Sequence, residues 1–174
     1  MQIKREIEIT PVSVILDGQP IAVSETGEKM LVELYRRYVG DYPKFFKMDT
    51  LSRLGFIAAE MLLKDEQVEA VILANRSASI KNDTDYLATI SDGNYYPSPA
   101  LFVYTLPNIV TGEIAIRHHI QGETSFYVLD NPEQLEPIIH SLFHSFTHSP
   151  ILAGWCECSE ANTFNAKLQI IWNN

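Results

Sequence analysis

The sequence predicts a single α/β domain in which a mainly parallel sheet of about five strands is flanked by helices. Apolar runs of strand length alternate with helical stretches through the middle of the chain, a pattern typical of strands joined by helical crossovers. The 174 residues fit one domain, 1–174, and suffice to bury a core. Hydrophobic residues make up 46% of the chain and no low-complexity block interrupts it. We therefore expect the whole chain to fold.

Strands are predicted where apolar residues alternate with polar ones or form short continuous runs. The N-terminal stretch alternates in this way, and Asp17-Gly18 is a turn signal, so a small hairpin is expected there. The run at 68–73 is apolar almost throughout, as in a strand that is buried on both faces of a parallel sheet. The predicted strands are 3–9, 12–16, 21–23, 68–73, 124–129, 151–158 and 164–172.

Helices are predicted where apolar residues recur at spacings of three and four. Gly40 is the stop signal of a helix at 25–39, and Asp49 is a suitable N-cap for the next one. In that second helix, Gly55 and Ala58-Ala59 would let another backbone approach closely. Gly122 is expected to end a helix at 110–120. Two more helices are predicted, a short one at 83–90 and one from 130–132 to about 148.

Charge and cysteine content limit the possible classes of function. The net charge is −9 and the Lys and Arg residues look scattered, so nucleic acid is not an expected partner. The acidic balance also disfavours a direct electrostatic fit to acidic carrier proteins. No apolar run has the length of a membrane span and no signal sequence is evident, so we expect a cytoplasmic protein with no membrane partner. The two cysteines are expected to be reduced.

The segment 98–122 reads SPALFVYTLPNIVTGEIAIRHHIQG and resembles the β-ketoacyl synthase branch of the thiolase-like families. In that branch a strand, a Thr-x-Pro-Asn-like loop and a Gly-x-Ile-Ala helix lead to the strand that carries the nucleophile. Two flanking stretches agree with the resemblance, DYPKFFKMD at 41–49 and VILANRS at 71–77. The resemblance spans 41–158 and implies a layered thiolase-like half-fold, the N-terminal half of a ketosynthase.

The chain lacks the residues for the chemistry that this resemblance implies. A ketosynthase needs a cysteine thiolate at the elbow between that strand and the next helix, where the helix N-terminus lowers the thiol pKa. Here the strand runs into Asp130 and Asn131. The His pair, or His and Asn, of the second half of such enzymes also has no counterpart. We therefore expect a catalytically incomplete protein that uses no cofactor.

Other residues that could carry chemistry have simpler structural interpretations. Cys156 and Cys158 would share one face of a strand and are expected to be packing residues or an ordinary surface pair. Glu113 and Arg117 are expected to form an i,i+4 ion pair on a solvated helix face. The remaining candidates for a metal site are three histidines that recur every fourth residue on one predicted helix. The Glu of a metalloprotease motif does not accompany them, so no metal is expected. They are His140, His144 and His148.

The favoured hypothesis is an accessory subunit of the chain-length-factor type in fatty-acid, polyketide or polyene biosynthesis. Its partner would be a full-length ketosynthase or a second copy of the chain, and an acyl carrier protein is a further candidate. One alternative is a standalone binding module for a small acyl or aromatic ligand. Another is an enzyme with unfamiliar chemistry at the carboxyl edge of the sheet.

The resemblance also assigns an interface, because the strand before the nucleophile elbow lies between subunits in thiolase-like proteins. In this chain that strand is 124–129, which is β-prone and uncharged. As an exposed edge it would be an aggregation hazard, and pairing with another subunit removes the hazard. The candidate binding or interface residues are Thr105, Pro107, Asn108, Ser125, Phe126, Tyr127, Val128 and Leu129.

Overall fold

The computed structural model describes residues 1–91, 93–144 and 149–173. The strands are β1 (Gln2–Thr10), β2 (Ser13–Leu16), β3 (Gln19–Pro20), β4 (Ala70–Asn75), β5 (Ile90–Ser91), β6 (Asn94–Tyr95), β7 (Thr124–Val128), β8 (Ile151–Glu160) and β9 (Thr163–Trp172). The helices are α1 (Gly27–Tyr38), α2 (Thr50–Leu62), α3 (Ile80–Leu87), α4 (Pro99–Val103), α5 (Ile109–His118) and α6 (Leu135–Leu142). Two short 3₁₀ helices, Pro43–Lys47 and Pro132–Gln134, precede α2 and α6.

The main sheet is mixed and has seven strands in the order β3-β2-β1-β9-β8-β4-β7, while β5 and β6 form a separate hairpin. Strand β4 pairs in parallel with β7 and β8. The other pairs of the main sheet are antiparallel. The predicted mainly parallel sheet of about five strands is therefore wrong in strand number and direction. The reason is that the strands of three tight hairpins, β1-β2, β2-β3 and β8-β9, can pair only antiparallel. Strand β1 also pairs with β9, which joins these strands into one sheet.

Three helices cover one face of this sheet and create the larger core. Helix α2 lies in the middle of the layer against β1, β8 and β9, with α1 on one side and α5 on the other. Helix α5 rests on β4 and β7. On the opposite face, α6 packs over a smaller apolar cluster with β4 and β8. Among the described residues, no helix has the length and apolar content to cross a membrane.

The packing of α2 explains why its sequence signals were reliable. The carboxylate of Asp49 accepts a hydrogen bond from the backbone N–H of Ser52 at 3.0 Å, so the predicted N-cap is confirmed. Gly55 faces α5, and a Cβ atom at this position would overlap the side chain of Val110. The space left at Gly55 is therefore filled by side chains, and not by the backbone that the sequence prediction placed there.

Several element boundaries differ from the sequence prediction. Residues Pro99–Val103 form helix α4, where the resemblance implies a strand. Ser98 explains this, because its hydroxyl accepts from the Leu101 N–H at 3.3 Å and Pro99 takes the first helical position. Helix α5 ends on His119, which adopts the left-handed conformation with φ of 55°, before the predicted Gly122 is reached. The third strand is β3, and not 21–23.

Helix α6 is shorter than predicted. It begins only after the 3₁₀ helix Pro132–Gln134 and ends at Leu142. The N–H of His144 donates to the carbonyl of Ser141 at 3.2 Å, which tightens the chain into a turn. The end of the predicted helix at 145–148, with His148, lies outside the described residues.

Candidate functional site

Strand β7 leaves one of its edges open. It ends the main sheet and, within the described part of the chain, pairs only with β4. The N–H of Val71 donates to the carbonyl of Glu123 at 2.9 Å. The N–H of Leu129 donates to the carbonyl of Asn75 at 2.8 Å. The odd-numbered residues of β7 thus direct their backbone N–H and C=O groups toward β4. Alternate residues of a paired strand direct these groups to opposite sides, so the even-numbered residues direct theirs away from β4. The residues whose backbone groups face the open edge are Thr124, Phe126 and Val128.

The side chains of β7 divide between the two faces of the sheet. Phe126 packs against the larger core under α5, and Val128 on the same face is 56% exposed. Tyr127 and Leu129 pack against the smaller cluster under α6. The hydroxyl of Ser125, on this second face, donates to the carboxylate of Glu123 at 2.7 Å. Among the predicted interface residues of this exposed strand, Phe126 and Val128 therefore lie on one face of the sheet, and Ser125, Tyr127 and Leu129 lie on the other.

Helix α5 adds an exposed stripe beside this edge. Its inner side contacts α2, because Arg117 bonds to Glu60 and Val110 lies against Gly55. The helical period places a second set of residues on the side turned away from α2. That set is Gly112, Ala115, Ile116 and His119. Ile116 is 64% exposed, and a Cβ atom added at Gly112 would contact no atom within 4 Å.

Exposed apolar side chains also occur on α4 and in the turn that leads into α5. A helix that leads into a parallel strand runs antiparallel to it, so the N-terminus of α5 and the preceding turn lie near the end of β7 where Val128 is located. At least half of each apolar side chain is exposed at three positions of α4 and that turn, namely Phe102, Val103 and Leu106. We call the open edge of β7, the α5 stripe and these three residues the edge surface. Apolar patches of this kind mark interaction sites.

The turn between α4 and α5 contains three of the predicted binding residues. Thr105 is held in place, because its carbonyl accepts from the Ser79 hydroxyl at 2.8 Å and its own hydroxyl donates to Phe102 O at 2.8 Å. Pro107 is half-buried. Asn108 is exposed and begins α5 without a side-chain cap. The structure thus places all three beside the edge surface.

Asp130 and Asn131 occupy the turn after β7, and both are exposed. The N–H of Asp130 donates to the side-chain carbonyl of Gln134 at 2.9 Å. Asn131 has an extended backbone and leads into the 3₁₀ helix that starts at Pro132. Neither side chain is a nucleophile of the kind that acyl transfer uses.

The two cysteines are buried in the core side of β8. Burial raises the pKa of the Cys158 thiol to about 12 and raises the pKa of Cys156 well above its ordinary value. Thiols with such pKa values are protonated at neutral pH and are poor nucleophiles. Their prediction as packing residues is confirmed.

The histidines of the α6 region do not form a stacked set in the described part of the chain. His140 and His144 are both exposed, and His144 lies beyond the last residue of α6. His148 lies outside the described residues. Among the side chains that the structure does describe, no group of three or more His, Cys, Asp or Glu is arranged to hold a metal ion.

The predicted ion pair between Glu113 and Arg117 is wrong, because each side chain turns to a different neighbour. Glu113 is buried, and its carboxylate lies 2.6 Å from the ammonium group of Lys44. The Tyr42 hydroxyl donates to the same carboxylate at 3.4 Å. The hydrogen bond to Glu113 raises the pKa of Lys44. Burial, followed by the charge of Glu113, raises the pKa of Tyr42.

Arg117 instead joins α5 to α2 and to the loop after α1. Its guanidinium lies 3.3 Å from the carboxylate of Glu60 and 3.0 Å from that of Asp41. The Nε2 atom of His118 lies 2.7 Å from the Glu60 carboxylate, outside regular hydrogen-bond geometry. Burial opposes ionisation of Glu60, but His118 and Arg117 outweigh it and the pKa of Glu60 is lowered. These contacts fix the helix layer that supports the α5 stripe.

Two of the solved structures that share this fold are a ketosynthase in complex with its chain length factor and a ketosynthase/chain length factor. A chain of the complex between the ketosynthase ApeO and its chain length factor ApeC from Xenorhabdus doucetiae aligns with a TM-score of 0.68 and 14% identity, over 99% of this chain and 79% of that chain. A chain of the ishigamide ketosynthase/chain length factor aligns with a TM-score of 0.73 and 15% identity, over 98% of this chain and 61% of that chain. No protein-family model matches the sequence, and no curated protein does. The protein therefore shares the fold of chains from ketosynthase and chain length factor complexes.

Proposed function

We propose that this chain is a catalytically incomplete, chain-length-factor-like subunit that pairs with a full-length ketosynthase through the edge surface. The observation that carries the proposal is the open edge of β7 beside an exposed apolar surface. The fold supports it, since it is shared with chains from ketosynthase and chain length factor complexes. The pathway we propose is polyketide or polyene biosynthesis, in which the ketosynthase would supply the nucleophile and the His residues.

The edge surface has the two parts that a stable interface of this kind needs. Three residues of β7 offer backbone groups to a further strand, and such strand addition supplies main-chain hydrogen bonds. Ile116 and the exposed residues of α4 supply apolar area to be removed from water. Burial of this area would also remove the aggregation hazard of an open, uncharged edge.

Gly112 supports the same proposal from the energetics of α5. Glycine inside a helix destabilises it by about 0.5–1 kcal/mol relative to alanine. At Gly112 the isolated chain offers no packing reason for glycine, because the space beside it is empty. A partner helix or strand that approaches the backbone of α5 closely at this position would explain the residue.

Native mass spectrometry tests the proposal after coexpression of this chain with full-length ketosynthases from the same genome. We expect a 1:1 heterodimer. Val128→Lys and Gly112→Lys should each dissociate it, because a charge would enter a desolvated interface. Val12→Lys is the matched control, since Val12 is 71% exposed on the turn between β1 and β2, at the other side of the sheet. A heterodimer that survives both edge-surface variants would refute the proposed interface, and a stable homodimer would refute the ketosynthase partner.

A second candidate function, a binding module for a small ligand, has one observation in its favour. A cleft of about 640 Å³ lies between α6 and the sheet, with Trp155, Ile139 and Ile171 among its lining residues. Charged side chains, including Glu136 and Lys167, line the same cleft. A small molecule that stays bound to the purified chain in native mass spectrometry, in the absence of any ketosynthase, would favour this function.

A further inference from the structure

The cleft between α6 and the sheet has an acidic lining. Four ionisable side chains line it, and all four are exposed. Three are carboxylates and one is an ammonium group, so together these side chains have a net charge of −2. They are Glu8, Glu133, Glu136 and Lys167.

The pairing of the strands places charged and apolar lining residues at different ends of the cleft. On β9, Lys167 pairs with Glu8 of β1 and with Trp155 of β8. Four residues further along β9, Ile171 pairs with Ile3 of β1. A step of four residues corresponds to about 13 Å along a strand. The floor of the cleft therefore changes from charged to apolar along its length.

Helix α6 adds two carboxylates at the charged end. The helix connects β7 to β8, and both strands run parallel to β4, so α6 begins near the carboxyl ends of these strands. Trp155 lies at the same end, because it pairs with Ala74, the last residue but one of β4. Glu133 in the 3₁₀ helix and Glu136 in the first turn of α6 thus line the end of the cleft that contains Trp155.

The basic groups of the cleft do not balance this negative charge. Lys167 lies directly opposite Glu8, and opposite charges at paired positions attract each other. Within the described part of the chain, no ion pair involves Glu133 or Glu136. The amino group of Met1 lies at the apolar end of β1, further from these two carboxylates than the Debye length of about 8 Å. The two carboxylates at the start of α6 are therefore available to a ligand.

We propose that this cleft binds an organic cation with an apolar body. The body would pack on Ile139 and Ile171, and the cation would lie between Trp155 and the two carboxylates at the start of α6. Tryptophan is the aromatic side chain that attracts a cation most strongly. The volume of about 640 Å³ is within the range of small-molecule sites, about 300–1,000 Å³. An acyl ligand with an anionic head group fits less well, because like charges would meet at the acidic end.

This inference rests on the second candidate function, and it does not require the ketosynthase partner. The cleft lies over β8, β9 and β1, whereas the edge surface is formed by β7, α5 and α4. A ligand in the cleft and a partner on the open edge of β7 would therefore contact different strands of the sheet.

Tryptophan fluorescence of the full chain tests the ligand class. The chain has two tryptophans, so Trp172→Phe leaves Trp155 in the cleft as the one reporter. The probes are octyltrimethylammonium, octan-1-ol and octanoate, which share an apolar chain and differ in charge. We expect the cation to bind at least about tenfold more tightly than the alcohol, because two carboxylates attract it, and octanoate to bind most weakly. Added salt should weaken the binding of the cation alone.

Glu133→Gln combined with Glu136→Gln should weaken binding of the cation at least about tenfold and leave binding of the alcohol within about twofold. Glu25→Gln combined with Glu69→Gln is the control, because it makes the same change in net charge at exposed positions outside the cleft. It should leave binding of the cation within about twofold. Circular dichroism checks that both double variants are folded.

Three results would overturn the inference, and they separate it from the second candidate function. Binding of octan-1-ol or octanoate as tightly as the cation would refute the cationic ligand and leave a binding module standing. An equal loss in both double variants would show that only the overall charge attracts the cation, with the same consequence. If no probe changes the fluorescence of Trp155, the cationic ligand and the binding module are both refuted.

Discussion

The same substitution, glycine to alanine, is expected to have opposite effects at Gly55 and Gly112. At Gly55 the new Cβ atom would overlap the Cγ2 atom of Val110 and lie 3.4 Å from the Cys156 sulfur. Valine on a helix has one strongly preferred rotamer, so the side chain of Val110 cannot easily turn away. Overpacking of this kind costs about 1–3 kcal/mol, while the higher helix propensity of alanine returns about 1 kcal/mol. We expect Gly55→Ala to lower the free energy of unfolding by about 1 kcal/mol.

At Gly112 only the gain in helix propensity applies, because the added Cβ atom contacts no other atom within 4 Å. Gly112→Ala should therefore raise the free energy of unfolding by about 1 kcal/mol. The two variants should differ by about 2 kcal/mol, which for a domain of this size separates their Tm values by about 4–8 °C. Urea unfolding followed by circular dichroism, and calorimetry for Tm, measure both quantities on the isolated chain.

A double variant identifies the cause of the loss at Gly55. In a Val110→Ala background the overlapping methyl group is absent, so Gly55→Ala should cost less than it does in the original chain, with a coupling of at least about 0.5 kcal/mol. The reasoning would be refuted if Gly55→Ala were as stabilising as Gly112→Ala, or if its cost did not change when Val110 was shortened.

The remaining two predictions concern the buried ionisable groups. Because the pKa of Glu60 is lowered in the folded state, its contribution to stability is present above the ordinary carboxyl pKa of about 4.3 and is lost as pH falls through the folded value. Glu60→Gln should thus lower the free energy of unfolding by about 2 kcal/mol at pH 7. Urea titrations should show that this difference between the two chains becomes smaller in acid, and a difference that does not change with pH would contradict the prediction. Given acyl and malonyl thioesters, the folded chain should form no adduct on Cys156 or Cys158 and no carbon–carbon bond, because both thiols are buried and protonated. Mass spectrometry should find both cysteines alkylated only after denaturation, and a stable acyl adduct on the folded chain would show the expectation to be wrong.

The parts of the fold that could be predicted are those that local sequence specifies. The apolar run of β4, the alternation in β1 and the cap at Asp49 all act within one element, and the structure contains each of them. Strand pairing is not local, and the direction of β8 and β9 was missed. The two strands are separated only by Ala161 and Asn162, a spacing that permits nothing but an antiparallel hairpin. That signal was present in the sequence.

The candidate site also has parts that the sequence predicts and parts that depend on tertiary packing. The exposed strand was assigned from the resemblance, and the open edge of β7 in the structure agrees with that assignment without testing it. The stripe on α5 could not be predicted, because Gly112 and Ile116 are exposed only if α2 covers the opposite side of the helix. The pairing of Glu113 with Lys44 depends on the same packing, since an i,i+4 spacing allows a pair but a buried neighbour on another element competes for each charge.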